Sequence, residues 1–558
     1  MNYPGGIRQV AESLLQSRFA VFAGAGLSFG AGIPLANAFQ RFVIGRLEFS
    51  EAATEEFLRV RLPFEAIFEV LLSVSDWDSL LPVFAGRQPA RNHTLLAKLC
   101  GSGHLDTIVT TNFDALIEDA FDAEGFPFRL YVSEEALSKI DWDAGINRVI
   151  KLHGTVRDPS GLALTIRRVA ARHLTASRGK VIREFLSPTR IEPCLVFGYS
   201  ASDRFDISPA VRNITGPRRP VIYLHHDPTA VTPRRLRLVD TDPDHVFAAG
   251  NAEILICRAD DLVSALWESA FNGPAPSVEM AADPWTAYVD TWLEDGCRQH
   301  GAGFVPYLSG LLQKAANNWY ESNRLLECAL DKGIRGSSAA GVELAKGNNY
   351  RDMGDATQAR VALSRALELA RSNGQADKEA SALNSLGIVA EDEKLHDVAI
   401  GYYAEALEIA SKTGHRELEG KCHGNIGIAL KNKGGDDNLA LTVYHHLRAL
   451  AIARELGDKR SEGRSLGNLG ITHSDIGERD IAQLYYEKAR AIASELGDRL
   501  HVAIWLHNAG EDAIAMDNDR AAGLLRQASA IFRQLGQESY AAESESALAR
   551  IDTGVVTD

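Results

Sequence analysis

Cysteine is scarce in this chain. Its six thiols, at Cys100, Cys194, Cys257, Cys297, Cys328 and Cys422, are never closer than 31 residues. That spacing excludes a C-x-x-C half-site, so a structural zinc centre has no support and no metal or zinc is expected. A disulfide framework is not expected either, and reduced, mostly buried thiols are. Positive charge is also in short supply, with 59 Lys and Arg against 74 Asp and Glu and a net charge of −15. A broad polyphosphate-binding surface is disfavoured, because nucleic-acid affinity rests on neutralising phosphates. A small nucleotide held in a pocket is not. Uninterrupted apolar helices are missing too. Residues 19–40 carry no charge, and 22 residues suffice to span a bilayer, but Gly24, Gly26, Gly30, Gly32 and Pro34 fall among them. The first residues lack the basic start and cleavage site of a signal peptide. The expectation is a soluble cytoplasmic protein with neither nucleic acid nor membrane as partner.

What is present is ordinary for a folded protein, with 45% apolar and 24% charged residues. At roughly 100–200 residues per domain, the length predicts several domain-sized units, or fewer if one is a repeat array. Two periodicities divide the chain. Short apolar runs at 19–23, 107–111, 148–152, 194–197, 221–224 and 253–257 alternate with helical stretches such as 34–47 and 92–99. Runs that are apolar on both faces fit strands covered by helices, as in a doubly wound Rossmann-like α/β domain. Prolines at 274, 276 and 284 then break both regular periods. The expected boundaries are 1–272 for a catalytic domain, 273–285 for a linker, 286–336 for a helical connector or degenerate first repeat, and 337–558 for repeats.

The second half repeats. One glycine series, Gly347, Gly387, Gly427, Gly470 and Gly510, falls at helix-interior positions, and a second, Gly374, Gly414, Gly457, Gly497 and Gly536, at expected helix C-termini. Both recur about every 40 residues, with one three-residue insertion near Gly434 and Gly435. The pattern resembles the tetratricopeptide family in its longer variant, and implies an all-α solenoid that presents a protein-binding surface. A passive spacer or an oligomerisation arm is the alternative.

The chemistry concentrates in the first half. Gly24-Ala25-Gly26-Leu27-Ser28 follows the first apolar run, with Gly32-Ile33-Pro34 after it. Such a turn is expected to open a helix whose N-terminal N–H groups face a pyrophosphate. Thr110-Thr111-Asn112-Phe113-Asp114 and Lys151-Leu152-His153-Gly154 end two further runs. The three motifs, in this order, resemble the sirtuin signatures. A fourth segment, Gly198-Tyr199-Ser200-Ala201-Ser202-Asp203, resembles one found in a bacterial sirtuin-like subgroup.

The resemblance implies the roles. Gly24, Ala25, Gly26 and Ser28 would bind NAD+, with Ala25 and Gly26 at its phosphates. Gly198 and Ser200 would contact the dinucleotide, and Asp203 would cap or orient that loop. Asn112 and Asp114 would approach the nicotinamide ribose and carboxamide. His153 would contact the ribose hydroxyls and serve as general base. Asp114 could also cap the helix that follows it. His225 and His226 fall near where sirtuins contact the adenosine ribose, although a strand-end pair is more often structural.

Protein-deacylating sirtuins carry four zinc-binding cysteines and continue GIP with D-F-R. This chain has no such cysteines, and Leu35-Ala36-Asn37 stands in the latter place. The acyl-lysine site is therefore in doubt while the NAD+ site persists. The combination resembles the sirtuin-like NADases of bacterial anti-phage defence, which implies an NAD+ glycohydrolase regulated by its repeat array. A homo-oligomer and a phage or other protein trigger bound by the array are the expected partners. A protein deacylase and a non-catalytic nucleotide-sensing scaffold are the alternatives.

Overall fold

The computed structural model describes residues 6–49, 51–60, 62, 64–75, 77–85, 87–158, 176–187, 189–190, 192–201, 207–212, 214, 216–248, 251–277 and 285–553. The chain divides into two compact units. One comprises Met1–Gln299 with Phe304–Asn317, and the other His300–Gly303 with Asn318–Asp558.

Among the described residues, the first unit has eight strands: β1 (Phe19–Ala23), β2 (Leu105–Thr110), β3 (Arg129–Tyr131), β4 (Arg148–Lys151), β5 (Cys194–Phe197), β6 (Val221–His226), β7 (Arg234–Arg237) and β8 (Ala252–Cys257). Their order is β3-β4-β2-β1-β5-β6-β8-β7. Every pairing is parallel except β7 with β8. Strand alternation supplies two apolar faces. Phe19, Val21 and Ala23 pack with the helices Ile7–Leu15, Arg91–Gly101 and Ala259–Phe271 on one side. Ala20 and Phe22 pack with Val181, Ile182 and Phe185 of Ala176–Phe185 on the other. Both faces are thus covered, as the continuous apolar runs require.

The six expected strands are all present, and β3 and β7 are additional. These two lie at the ends of the sheet. The Arg129-Leu130-Tyr131 and Arg234–Arg237 segments carry edge charge, which reads as solvated loop in sequence. Arg235 pairs with Glu253 of β8, Nε to Oε2 at 2.8 Å. A charged side chain on an edge strand also discourages pairing with another chain.

A third cluster is rich in aromatic rings. Phe39, Phe57, Phe68 and Phe84, from the segment between β1 and β2, pack with Trp285, Val289, Trp292, Phe304 and Leu308. The helices Trp285–His300 and Phe304–Ala315 therefore contribute to the core of the first unit. Residues 286–317, read from sequence as connector or degenerate repeat, fall largely inside that unit. Their apolar faces are completed by Phe39 and its neighbours, which no local pattern discloses.

The second unit is a succession of helix pairs from Ser337–Asp352 with Ala356–Ser372 to Arg499–Ala513 with Asn518–Gln534, closed by Glu538–Thr553. The helix-interior glycines mark where each pair touches. A Cβ on Gly387 would lie 2.5 Å from the Tyr403 ring, and one on Gly470 2.6 Å from Tyr486. Leu363, His446 and Leu525 fill the same place against Gly347, Gly427 and Gly510. The second glycine series adopts φ of 64° to 71°, the left-handed conformation that ends a helix. The insertion lengthens Asp436–Leu456 to 21 residues, where the equivalent helices Ala356–Ser372 and Arg479–Glu495 have 17. Among the described residues, no helix is long and apolar enough to cross a membrane.

Candidate active site

The four motifs end β1, β2, β4 and β5. These strands are consecutive neighbours in the sheet, so the four following loops lie side by side at its carboxyl edge. The chain runs outward from β1 to β2 on one side and later returns to β5 on the other. The loops after β1 and β5 therefore flank a topological switch point, where open α/β sheets bind ligands.

Glycine lets those two loops interlock. Gly24 N–H donates to Phe197 O at 2.9 Å, and Gly26 N–H donates to Gly198 O at 2.8 Å. A Cβ on Gly24 would sit 2.6 Å from Tyr199 Cα, and one on Gly26 2.8 Å from Gly198 Cα. Gly198 itself has φ 69°, a region open mainly to glycine. Tyr199 anchors the β5 loop by packing its ring edge-on to Phe22, at 5.0 Å between centroids. The glycines that looked like a phosphate cradle are thus first a backbone-to-backbone contact.

The expected helix start at this turn is corrected. Residues Ala25–Leu27 and Phe29–Ala31 form two 3-10 turns, and the α-helix begins only at Ala36. Gly32, at φ 80°, ends the second turn, and Pro34 favours extended backbone at Ile33. A full helix dipole is therefore not aimed from Gly24–Gly26. Ala25 is exposed and Gly26 half-buried.

Ser28 is the centre of a buried network. Its Oγ donates to Asp114 Oδ2 at 2.9 Å and accepts from Asn112 Nδ2 at 3.0 Å. His93 Nε2 lies 3.0 Å from the same oxygen. Asp114 Oδ1 accepts from Leu116 N–H at 3.1 Å, an i to i+2 turn before the helix Leu116–Glu124, whose N-cap position is Ala115 rather than Asp114. The carboxylate thus serves this turn and Ser28 together. Asn112 Oδ1 is buried without a hydrogen-bond partner among the described residues. A buried acceptor left unmade costs about 1–3 kcal/mol, so this oxygen is an open acceptor among the described residues.

His153 is half-buried in the loop after β4. That loop is tied to the β2 loop by Val156 N–H donating to Phe113 O at 2.7 Å. Beneath them Lys151 is buried against Glu118, Nζ to Oε1 at 2.7 Å, and also donates to the Asp114 carbonyl. Removing one member of such a buried pair strands the other charge, typically at about 3–5 kcal/mol. Sequence reading missed His93, Lys151 and Glu118. Lys151 was quoted within its motif, but only the sheet order places it under the β2 loop.

Ser200 is exposed after β5. Asp203 lies outside the described residues. His225 and His226 are exposed at the end of β6, and His226 Nδ1 accepts from Ala259 N–H at 3.0 Å, a structural use at the start of the helix Ala259–Phe271. The six cysteines are free. Among the described residues, no three His, Cys, Asp or Glu side chains gather as a metal site.

Residues 106–237 match the family model of a SIR2-like domain, and residues 338–412 match that of a tetratricopeptide repeat. The first match begins at β2, after the glycine turn of β1. No curated protein matches the chain. Solved structures similar to it include apo RapI, at 16% identity and TM-score 0.35, covering 45% of this chain and 99% of that one. A Rap protein complexed with competence and sporulation factor has 16% identity and TM-score 0.34, covering 49% and 82%. Aspartyl phosphate phosphatase F from Bacillus subtilis has 14% identity and TM-score 0.36, covering 49% and 77%. The chain thus carries a SIR2-like domain followed by tetratricopeptide repeats. The first points to NAD use in general and the second to a protein-interaction role.

Proposed function

With a SIR2-like domain joined to tetratricopeptide repeats as the premise, we propose that this chain is an NAD+ glycohydrolase. The observation that carries the reading is the unpartnered Asn112 Oδ1 among strand-end loops. A ribose hydroxyl or an attacking water would supply the donor this oxygen lacks. Water adds to the anomeric carbon, the glycosidic bond breaks, and its electron pair leaves with nicotinamide. His153 takes the proton that water loses or polarises the ribose hydroxyls. Asp114, held by Ser28 and Leu116, offsets the positive charge that develops on the sugar. The products are nicotinamide and ADP-ribose.

Unrestrained NAD+ consumption would harm the cell that makes it, since most redox metabolism shares that dinucleotide. The repeat array is accordingly the regulator in this reading. It binds a protein trigger, such as a phage component, or a second copy of the chain, which suits an abortive-infection effector of the cytoplasm. Stacked helix pairs offer the extended surface such binding needs.

The test is nicotinamide release with products resolved, in the presence and absence of acetylated peptide. Asn112→Ala and His153→Ala should each lose about 10²–10⁴-fold in turnover while keeping the fold. Unchanged turnover in both would overturn the site. Cleavage that requires the peptide would favour a deacylase instead.

A further inference from the structure

We propose that His93 is a positioning residue for this site, acting through Ser28 to hold the amide of Asn112 in one orientation. The proposal rests on the NAD+-cleavage reading for its activity readout, but not for the network itself.

His93 stands in the first turn of the helix Arg91–Gly101 and is fully buried. Its Nδ1 accepts from Ala90 N–H at 3.1 Å. A backbone N–H can only donate, so Nδ1 carries no proton. The neutral ring then keeps its single proton on Nε2. That nitrogen lies 3.0 Å from Ser28 Oγ and donates to it. Burial disfavours the charged ring and outweighs Asp114, the Ala90 backbone and Asp119, which favour it, while Lys151 opposes it as burial does.

Ser28 Oγ has one proton and two lone pairs. The proton goes to Asp114 Oδ2. One lone pair takes the His93 Nε2 proton, and the other takes a proton from Asn112 Nδ2. The hydroxyl is then fully used. Were the Asn112 amide turned over, its Oδ1 would face an oxygen with no proton left to give. Two acceptors would oppose each other at about hydrogen-bond distance, which is repulsive. Nδ2 must therefore face Ser28, and Oδ1 is left as the acceptor for a ligand. Without the proton from His93, Ser28 Oγ still donates to Asp114 but is held by one partner fewer. The hydroxyl can then swing about the Asp114 bond, and the Asn112 amide that donates to it loses its fixed place. His93 never reaches the ligand. It steadies the side chain of Asn112, which does.

Two substitutions separate this role from a packing role. Asn at 93 offers an oxygen near the place of Nδ1, which keeps the Ala90 contact but falls short of Ser28. Gln at 93 places an amide N–H near the place of Nε2, which keeps the donor to Ser28. In the full-length protein, His93→Asn should lower kcat for NAD+ cleavage by about 10- to 100-fold, with a smaller change in KM. His93→Gln should recover most of that loss. Equal losses in both variants, or an unaffected His93→Asn, would overturn the proposal. If either variant fails to fold, nitrogen-15 NMR of histidine-labelled wild-type protein decides. A neutral ring protonated at Nε2 that does not titrate near 6.5 supports the network, and one protonated at Nδ1 overturns it. Asn112→Ala, run alongside, keeps the two readings apart. If it remains active, the site assignment fails. If it is inactive while His93→Asn is not, only the positioning role fails.

Discussion

Both halves of this chain use glycine to admit a neighbour closer than a Cβ allows, and they use it differently. In the repeats, the contact is local and multiple: a glycine in one helix receives a side chain from the next helix, five times over. At the strand-end loops of the first half, the contact is distant: Gly24 and Gly26 meet Gly198, from strands separated by most of that half. In the repeats the neighbour is a side chain that can adjust. Between the strand-end loops it is backbone, which cannot. The array should therefore tolerate local damage that the site does not.

Truncation presses this comparison hardest. A chain cut after Asn317 retains every described member of the aromatic cluster. A chain cut after Pro284 loses Trp285, Val289, Trp292, Phe304 and Leu308 from it. Fully burying such a side chain stabilises by about 1.5–3 kcal/mol, and domains are stable by only about 5–15 kcal/mol. The shorter fragment should therefore fail to give a cooperative thermal transition, and the longer one should give one. Equal melting of both would show that the helices Trp285–His300 and Phe304–Ala315 are dispensable.

A pair of glycine substitutions comes next. Gly198→Ala must adopt φ 69° and brings a Cβ within 2.4 Å of Leu27 N. Left-handed backbone alone costs about 1–2 kcal/mol, and the collision adds to it. NAD+ turnover should be lost even where the fold survives. Gly387→Ala meets the Tyr403 ring instead. Overpacking of about 1–3 kcal/mol is offset by up to about 1 kcal/mol of helix propensity. A drop of a few degrees in Tm with turnover unchanged is expected. If Gly387→Ala abolishes turnover and Gly198→Ala does not, the comparison is wrong.

The smallest effect concerns the one repeat with an odd filler. His446 occupies the place of Tyr403 and Tyr486. Burial pushes His446 down to about 4, with His445 and Lys431 acting in the same direction. His423, whose Nδ1 lies 2.9 Å from His445 Nδ1, is also pushed by burial to about 4. Arg448, Arg416 and His445 reinforce that shift, and Glu419 opposes it. Unfolded histidine titrates near 6.5, so the unfolded state binds more protons between these values. Stability is full above pH 6.5 and falls as pH drops toward 4. His446→Tyr should remove about one proton from that uptake and flatten the acid slope of array melting. An unchanged slope would exclude His446 as a contributor.

The repeats were legible because each contact lies within a short stretch and recurs. Gly347, Gly387, Gly427, Gly470 and Gly510 declared it by spacing, and the left-handed series at Gly374 to Gly536 declared the helix ends. The site was legible only in pieces. Ser28, Asn112, Asp114 and His153 were nameable from their motifs, but His93 carries no signal of its own. A histidine in the first turn of an amphipathic helix looks like any other. The packing of the helices between 285 and 315, read as a connector or degenerate first repeat, was illegible for a related reason, since their apolar faces do not reveal which surface covers them.

The sequence by itself determined the two periodicities, the covered parallel strands and the residue types at the strand ends. These follow from local rules of alternation, helical period and turn chemistry, which need no knowledge of distant neighbours. Only the tertiary structure decided that β4, β2, β1 and β5 are adjacent, that Gly24 and Gly26 hold the β5 loop, and that Ser28 joins His93, Asn112 and Asp114. Strand order and long-range hydrogen bonds are set by how buried faces satisfy one another in space. No single segment carries that information.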